Sequence, residues 1–187
     1  LLMSLALEID RVALMGTGTG NEPRGITNTE GITTLSMGEN GAPLVNYDPL
    51  LRARGALLAA NAGEPTAYIM SPRTATDLSL LKTGLQGDQT QLSRPAELSD
   101  LRRGRMLLTT TAIPTDEEHG TADNATRIIT GNFRDLWIGM RTEIRIEVLR
   151  EAFAENLQYA FLAFLRADIG VVRPQSFAQI IGITPGE

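Results

Sequence analysis

The chain has 187 residues, 42% of them hydrophobic, with a formal net charge of −5 and a pI near 5.0. It can therefore bury a core unaided, and it offers no basic field for gathering phosphates. It carries no cysteine and a single histidine, His119, which excludes disulfides, thiolate metal sites and histidine clusters and argues against a His-based triad.

The chain opens as a helix with Leu2, Leu5, Ile9, Val12 and Ala13 on one stripe. No capping residue stands before it, so further polypeptide is expected upstream, making these residues the carboxyl-terminal part of a longer protein. Gly16, Gly18, Gly20, Pro23 and Gly25 end the helix in a turn. A phosphate-cradling loop is the sharper alternative. A dinucleotide fingerprint, however, needs a third glycine where Asn21 sits, a strand before it and a helix after it, and no Walker lysine follows.

Residues 26–132 change pattern element by element, as in a mixed α+β unit. Asp48 and Pro49 are expected to cap and open a helix striped by Leu50, Ala53, Leu57 and Leu58, ending near Asn61 and Gly63. Residues 66–70 read as a short buried strand. Ser71 and Pro72 open a second helix through Ala75, Leu78, Leu81 and Lys82, stopped by Gly84. Residues 84–95 and 115–125 read as exposed polar loops. Residues 106–113, 127–130 and 133–138 read as strands.

From residue 142 the chain alternates strictly, with Ile144, Ile146 and Val148 against Glu143, Arg145 and Glu147, which gives a strand one buried face and one wet face. An apolar stretch follows over residues 153–172. Its Phe153, Leu157, Phe161 and Phe164 fall near helical spacing, and periodicity alone favours the helix. As a strand, residues 157–172 would reach roughly 50 Å at about 3.3 Å per residue, against about 40 Å for a compact domain of this size. Such a ribbon would protrude and take its cover from another subunit.

Candidate chemistry is thin, and no catalytic, cofactor or metal site is expected. The acidic loop around His119 lacks the ligand spacing of an EF-hand. Arg102, Arg103 and Arg105 read as an exposed basic cluster. The serines lack a nucleophile-elbow context, and Trp137 and the Phe153, Phe161, Phe164 set read as core or subunit-contact residues. No uninterrupted apolar run approaches the roughly 20 residues of a membrane span, and no membrane contact is expected. The order of pieces suggests an assembly protein rather than an enzyme.

A helix carrying Ile9, Asp10 and Leu14, then Gly16, Gly18, Gly20, Pro23, Gly25 and Ile26, resembles the end of the spine helix in tailed-phage major capsid proteins of the Hong Kong 97 type. The later order Gly131 to Asp135, Gly139 to Glu147, Asn156, Arg166, Asp168, Val171, Arg173, Pro174 and Phe177 is similar to the same family. The Arg-x-Asp-x-x-Val-x-Arg-Pro element is its most specific part. The resemblance implies an α+β fold of the Hong Kong 97 type and turns residues 153–172 toward strand. It implies a peripheral domain from residues 1–15 and 133–175, an axial domain from residues 26–132 and 176–187, and an amino-terminal arm and extended loop upstream.

It also implies self-assembly into hexamers and pentamers that close a shell around DNA without specific binding. Scaffold, portal and decoration proteins would be further partners, and the location would be the virion capsid, after assembly in the host cytoplasm. An encapsulin-type compartment is the alternative within the fold, and a small α/β enzyme with a phosphate ligand is the more remote one. In part of that family an asparagine is joined to a lysine of the extended loop, with a glutamate further along as base. Asn156 matches the asparagine, but Ala163 stands where the glutamate would be, so no covalent cross-linking is expected.

Overall fold

The computed structural model describes residues 2–82, 106–149 and 159–186, with the side chains of 142 and 143 excepted. A seven-stranded sheet forms its body. The strands are β1 (Thr33–Ser36), β2 (Ala42–Pro43), β3 (Ala67–Met70), β4 (Met106–Thr109), β5 (Glu117–His119), β6 (Ala122–Gly131) and β9 (Phe177–Thr184), in the order β1-β9-β6-β3-β4, with β2 on β9 and β5 on β6. β6 is antiparallel to β3 and β9, while β1 and β2 run parallel to β9 and β4 parallel to β3. A separate two-stranded ribbon joins β7 (Leu136–Leu149) to β8 (Ala160–Val171), antiparallel.

Alternation along the central strands feeds two cores, because successive side chains leave opposite faces of a sheet. Tyr68, Met70, Ile128, Ala178 and Ile180 pack with Leu50, Ala53 and Leu57 of α2 (Asp48–Ala59) and Leu78 of α3 (Pro72–Leu80). Ile129, Phe177 and Ile69 face the other way, onto Leu14 at the end of α1 (Leu2–Met15), Ile26, and Leu136 and Val171 at the foot of the ribbon.

Local chemistry moves several boundaries. Ser71 caps α3 as expected, accepting the Thr74 N–H at 3.3 Å, but the helix ends at Leu80, before Leu81 and Lys82. At α2 the cap is Tyr47 rather than Asp48, and the Asn46 side-chain carbonyl accepts the Asp48 N–H at 3.0 Å. Leu58 is exposed. In α1 burial is confined to Val12, Ala13 and Leu14, and Leu2 is exposed.

The strand expected over 106–113 stops at Thr109, although Ile113 is buried. That expected over 127–130 extends to ten residues. Residues 133–135 form a 3-10 turn before β7 begins. The expected loop over 115–125 is instead the β5–β6 hairpin, turning at Gly120 with φ +62°. It is held because Arg127 pairs with Glu117 at 2.7 Å and the His119 imidazole meets the Gly38 carbonyl at 2.8 Å. The 84–95 loop, the cluster at Arg102, Arg103 and Arg105, and Phe153, Asn156 and Leu157 lie outside the described residues.

For residues 160–171 strand prevails over the helical spacing. β7 offers the inner edge of β8 a ladder of backbone partners, and the pairing gathers the odd-numbered apolar residues of β8 on one face.

Candidate subunit interface

The ribbon register sorts its side chains. Leu136 lies opposite Val171, Ile138 opposite Ile169, Met140 opposite Ala167, Ile146 opposite Ala163 and Val148 opposite Phe161, so one face is apolar from end to end. From Met140 to Arg145 β7 advances five residues while its partners run from Ala167 to Phe164, an advance of three. β7 therefore carries two extra residues as bulges in this stretch. The opposite face is mixed, carrying Trp137, Leu149, Leu162 and Phe164 beside Arg145, Glu147, Arg166 and Asp168, with Arg145 and Glu147 paired at 3.3 Å.

The apolar face is covered only at its foot. Ile169 packs against Val12 and Ala13 of α1, and Leu5, Ile9, Leu165 and Ala167 line a shallower groove beside them. Beyond that reach Ile146 is 50% exposed and Phe161 61%, and Ile144 and Val148 are comparable. The buried face expected from the alternation is thus apolar but uncovered by the described residues of its own chain, because a two-stranded ribbon has no third layer. A second opening of about 600 Å³ lies at the foot, between Leu7 and Asp10 of α1, Leu108 of β4, and Leu136 and Ile138.

The glycine turn is built by close approach of backbone. The Gly25 N–H donates to the Gly16 carbonyl at 2.9 Å and the Gly18 N–H to that of Pro23 at 3.3 Å. A Cβ on Gly16 would stand 2.3 Å from the Pro23 carbonyl oxygen, and one on Gly25 2.4 Å from the Gly16 nitrogen. The carbonyls that end α1 have no partner within the helix. Thr27 Oγ1 therefore donates to Leu14 at 3.1 Å, and Asn28 Nδ2 to Met15 at 3.0 Å and to Gly16 at 2.8 Å. Sequence reasoning missed both donors; polar residues just after Ile26 were the available signal.

A carboxylate fills the turn. Glu22 accepts from the Thr17 hydroxyl and from Arg11, both at 2.5 Å, and from the Thr17 N–H at 3.2 Å. The Thr17 hydroxyl and then Arg11 hold its carboxyl down to about 2, while Arg11 also lowers Glu8. A phosphate would meet this negative charge, and the amides of Gly16, Thr17, Gly18, Glu22 and Gly25 are already engaged.

The sign follows from a folded pKa below the ordinary 4.5. Glu22 stabilises the fold above that value and loses its contribution as pH falls toward 2. Wild type is accordingly expected to lose melting temperature over that window, and E22Q to lack this share of the loss. Parallel melting curves for the two would contradict the assignment.

Between sheet and ribbon the chain crosses twice, at Asn132 and at Arg173, and each crossing takes a 3-10 turn. Asn132 N–H donates to the Ser176 carbonyl and Val172 N–H to that of Asp135, both at 2.9 Å. The Ser176 hydroxyl bonds the Asp135 carboxylate, and Phe133 meets Phe177 edge to face at 5.4 Å. Arg173 donates to the Asn61 carbonyl at 3.0 Å and to Ala60 at 2.7 Å, at the carboxyl end of α2. Pro174 opens the second 3-10 turn and stands beside Gly31.

Of the residues singled out in the sequence, Gly16, Gly18, Gly20, Pro23 and Gly25 gather in the turn. Arg173 and Pro174 gather at the crossing. Asp10 lines the opening at the ribbon foot, Arg166 is exposed on the mixed face of the ribbon, and Asn156 lies outside the described residues. Among the described residues no cluster suited to a metal occurs, and no helix is long and apolar enough to cross a membrane.

Comparison with known proteins gives a consistent picture. The model of the phage capsid family matches residues 1–180. No curated protein matches. Among solved structures the chain is similar to the capsid of an empty GTA particle, with TM-score 0.69 and 19% identity over 96% of this chain and 68% of that one. It is similar to Gordonia phage Cozz, with TM-score 0.65 and 17% identity over 100% and 61%. It is also similar to the SrpI encapsulin complex of Synechococcus elongatus PCC 7942, with TM-score 0.63 and 13% identity over 98% and 63%. The chain thus spans between 61% and 68% of these structures' own length. The likeness carries the Hong Kong 97-type fold.

Proposed function

Because this chain belongs to the phage capsid family, we propose that it is the carboxyl-terminal part of a major capsid protein whose copies close an icosahedral shell around DNA. The observation that carries this is the apolar ribbon face, a contiguous row of aliphatic and aromatic side chains left open beyond α1. A surface of that kind marks a contact to be filled. The ribbon and α1 would form the peripheral domain, and the seven-stranded sheet with α2 and α3 the axial one. Hexamers and pentamers would meet through heterologous contacts, with scaffold, portal and decoration proteins as further partners.

The work would be done by contacts rather than catalysis, in the virion capsid and, during assembly, the host cytoplasm. A net charge of −5 would leave packed DNA free to slide, since tight binding needs arrays of Lys and Arg. The test is electron microscopy of the complete gene product: closed particles are expected, containing DNA when purified from the phage or prophage that encodes it. A product that stays monomeric at every concentration would overturn the proposal, and particles filled with protein would favour the encapsulin reading, for which the structural likeness to SrpI speaks.

A further inference from the structure

We propose that Arg173 is a positioning residue for assembly, fixing the angle at which the ribbon leaves the sheet and, through that angle, the curvature of the shell. This rests on the reading that the chain forms shells. The two β-ladders are separate sheets. The two crossing strands are tied to each other by the Asn132–Ser176 and Val172–Asp135 backbone bonds and the Ser176–Asp135 bond. These bind crossing to crossing but do not fix the ribbon against the helices of the sheet. Both chain crossings there are single 3-10 turns, and such short turns are natural points of bending.

On one side the ribbon foot rests on α1 through Ile169, Val12 and Ala13. Apolar packing of this kind is non-directional and tolerates small rotations. On the other side Arg173 reaches across to α2, giving one N–H of its guanidinium to Ala60 and another to Asn61. Two donors in a planar fork fix direction as well as distance.

The acceptors suit a cation. They are carbonyls at a helix end, where partial negative charge accumulates, and Asn61, with φ +56°, turns the chain out of the helix there. Arg173 is exposed, so its removal leaves both cores intact. A lysine would keep the charge but replace the fork with a point donor.

The test uses the complete gene product with R173Q and R173K. These 187 residues lack cysteine, so spin labels at R145C on the ribbon and R52C on α2 report the angle in unassembled subunits. Electron microscopy of assembled material reports particle diameter. The expected result is a shifted or broadened label distance and an altered diameter distribution in R173Q, with R173K between it and wild type.

Label distances or diameters in R173Q that match wild type would overturn the inference. Should R173Q not fold, R173K decides in its place, and wild-type values there would overturn it equally. A wild-type product that forms no shells would sink the shell reading alone, since the label distance still reports whether Arg173 sets the angle.

Discussion

Replacing Ile146 and Val148 together by aspartate is expected to leave the subunit folded and to weaken assembly by roughly a hundredfold or more. Both side chains are about half exposed in the single chain, and surface substitutions of that kind usually change stability by no more than about 0.5 kcal/mol. In a shell, each would be buried against a neighbouring segment. The lost apolar burial is worth about 1.5–3 kcal/mol per side chain at most, and about half of that where a side chain is already half covered. Two unpaired carboxylates would add a desolvation cost of a few kcal/mol. A total of about 3 kcal/mol per contact corresponds to the stated hundredfold, and a closed shell multiplies the contact over its copies. Sedimentation and microscopy measure the loss, and thermal melting of the subunit is the control. Normal shells from the double variant would refute the ribbon as an interface.

Gly25→Ala is expected to cost about 3 kcal/mol, at the upper end of what forced overpacking usually costs. The φ of Gly25 is −80°, which any residue adopts, so the requirement is for space alone. A methyl there would stand 2.4 Å from the Gly16 nitrogen, 2.6 Å from the Val12 carbonyl oxygen and 2.8 Å from the Met15 nitrogen. All three are backbone atoms at the end of α1, with no flexible side chain to give way. Gly20 provides the contrast: its φ is +63°, yet nothing lies within 4 Å of its added Cβ. Gly20→Ala should therefore cost only the left-handed backbone term, about 1–2 kcal/mol. At about 2–4 °C per kcal/mol for a chain of this size, melting temperatures should fall by roughly 6–12 °C for Gly25→Ala and by less for Gly20→Ala. Equal shifts would show that the crowding at Gly25 is relieved by rearrangement.

The sequence was most legible where one local rule acted alone. Ser71 before Pro72 gave the start of α3, and the glycine run gave the end of α1. The family resemblance set the fold and the strand over residues 160–171, against a helical spacing that was present but weaker than the pairing offered by β7. The hairpin at Glu117–His119 was hidden because its stabilisation is non-local. Gly182, at φ +78°, leaves room for the His119 ring, and Gly38 lies far from both in the chain. The short strands β1 and β2 were invisible for the same reason, since each exists only through its parallel pairing with β9. Of the interface, the alternation at Ile144, Ile146 and Val148 marked the apolar row correctly. What it could not supply was the donor from Arg173 to α2, a contact between residues 112 positions apart or more.

The paired bulges of β7 bear on how this strand can change its length. A single extra residue would have turned Ile144, Ile146 and Val148 to the other side of the ribbon and put Arg145 and Glu147 in their place. Two restore the parity, so the greasy row continues unbroken past the irregularity. Insertions and deletions here are therefore admissible only in even numbers, and a variant that differs by one would wear its inside out.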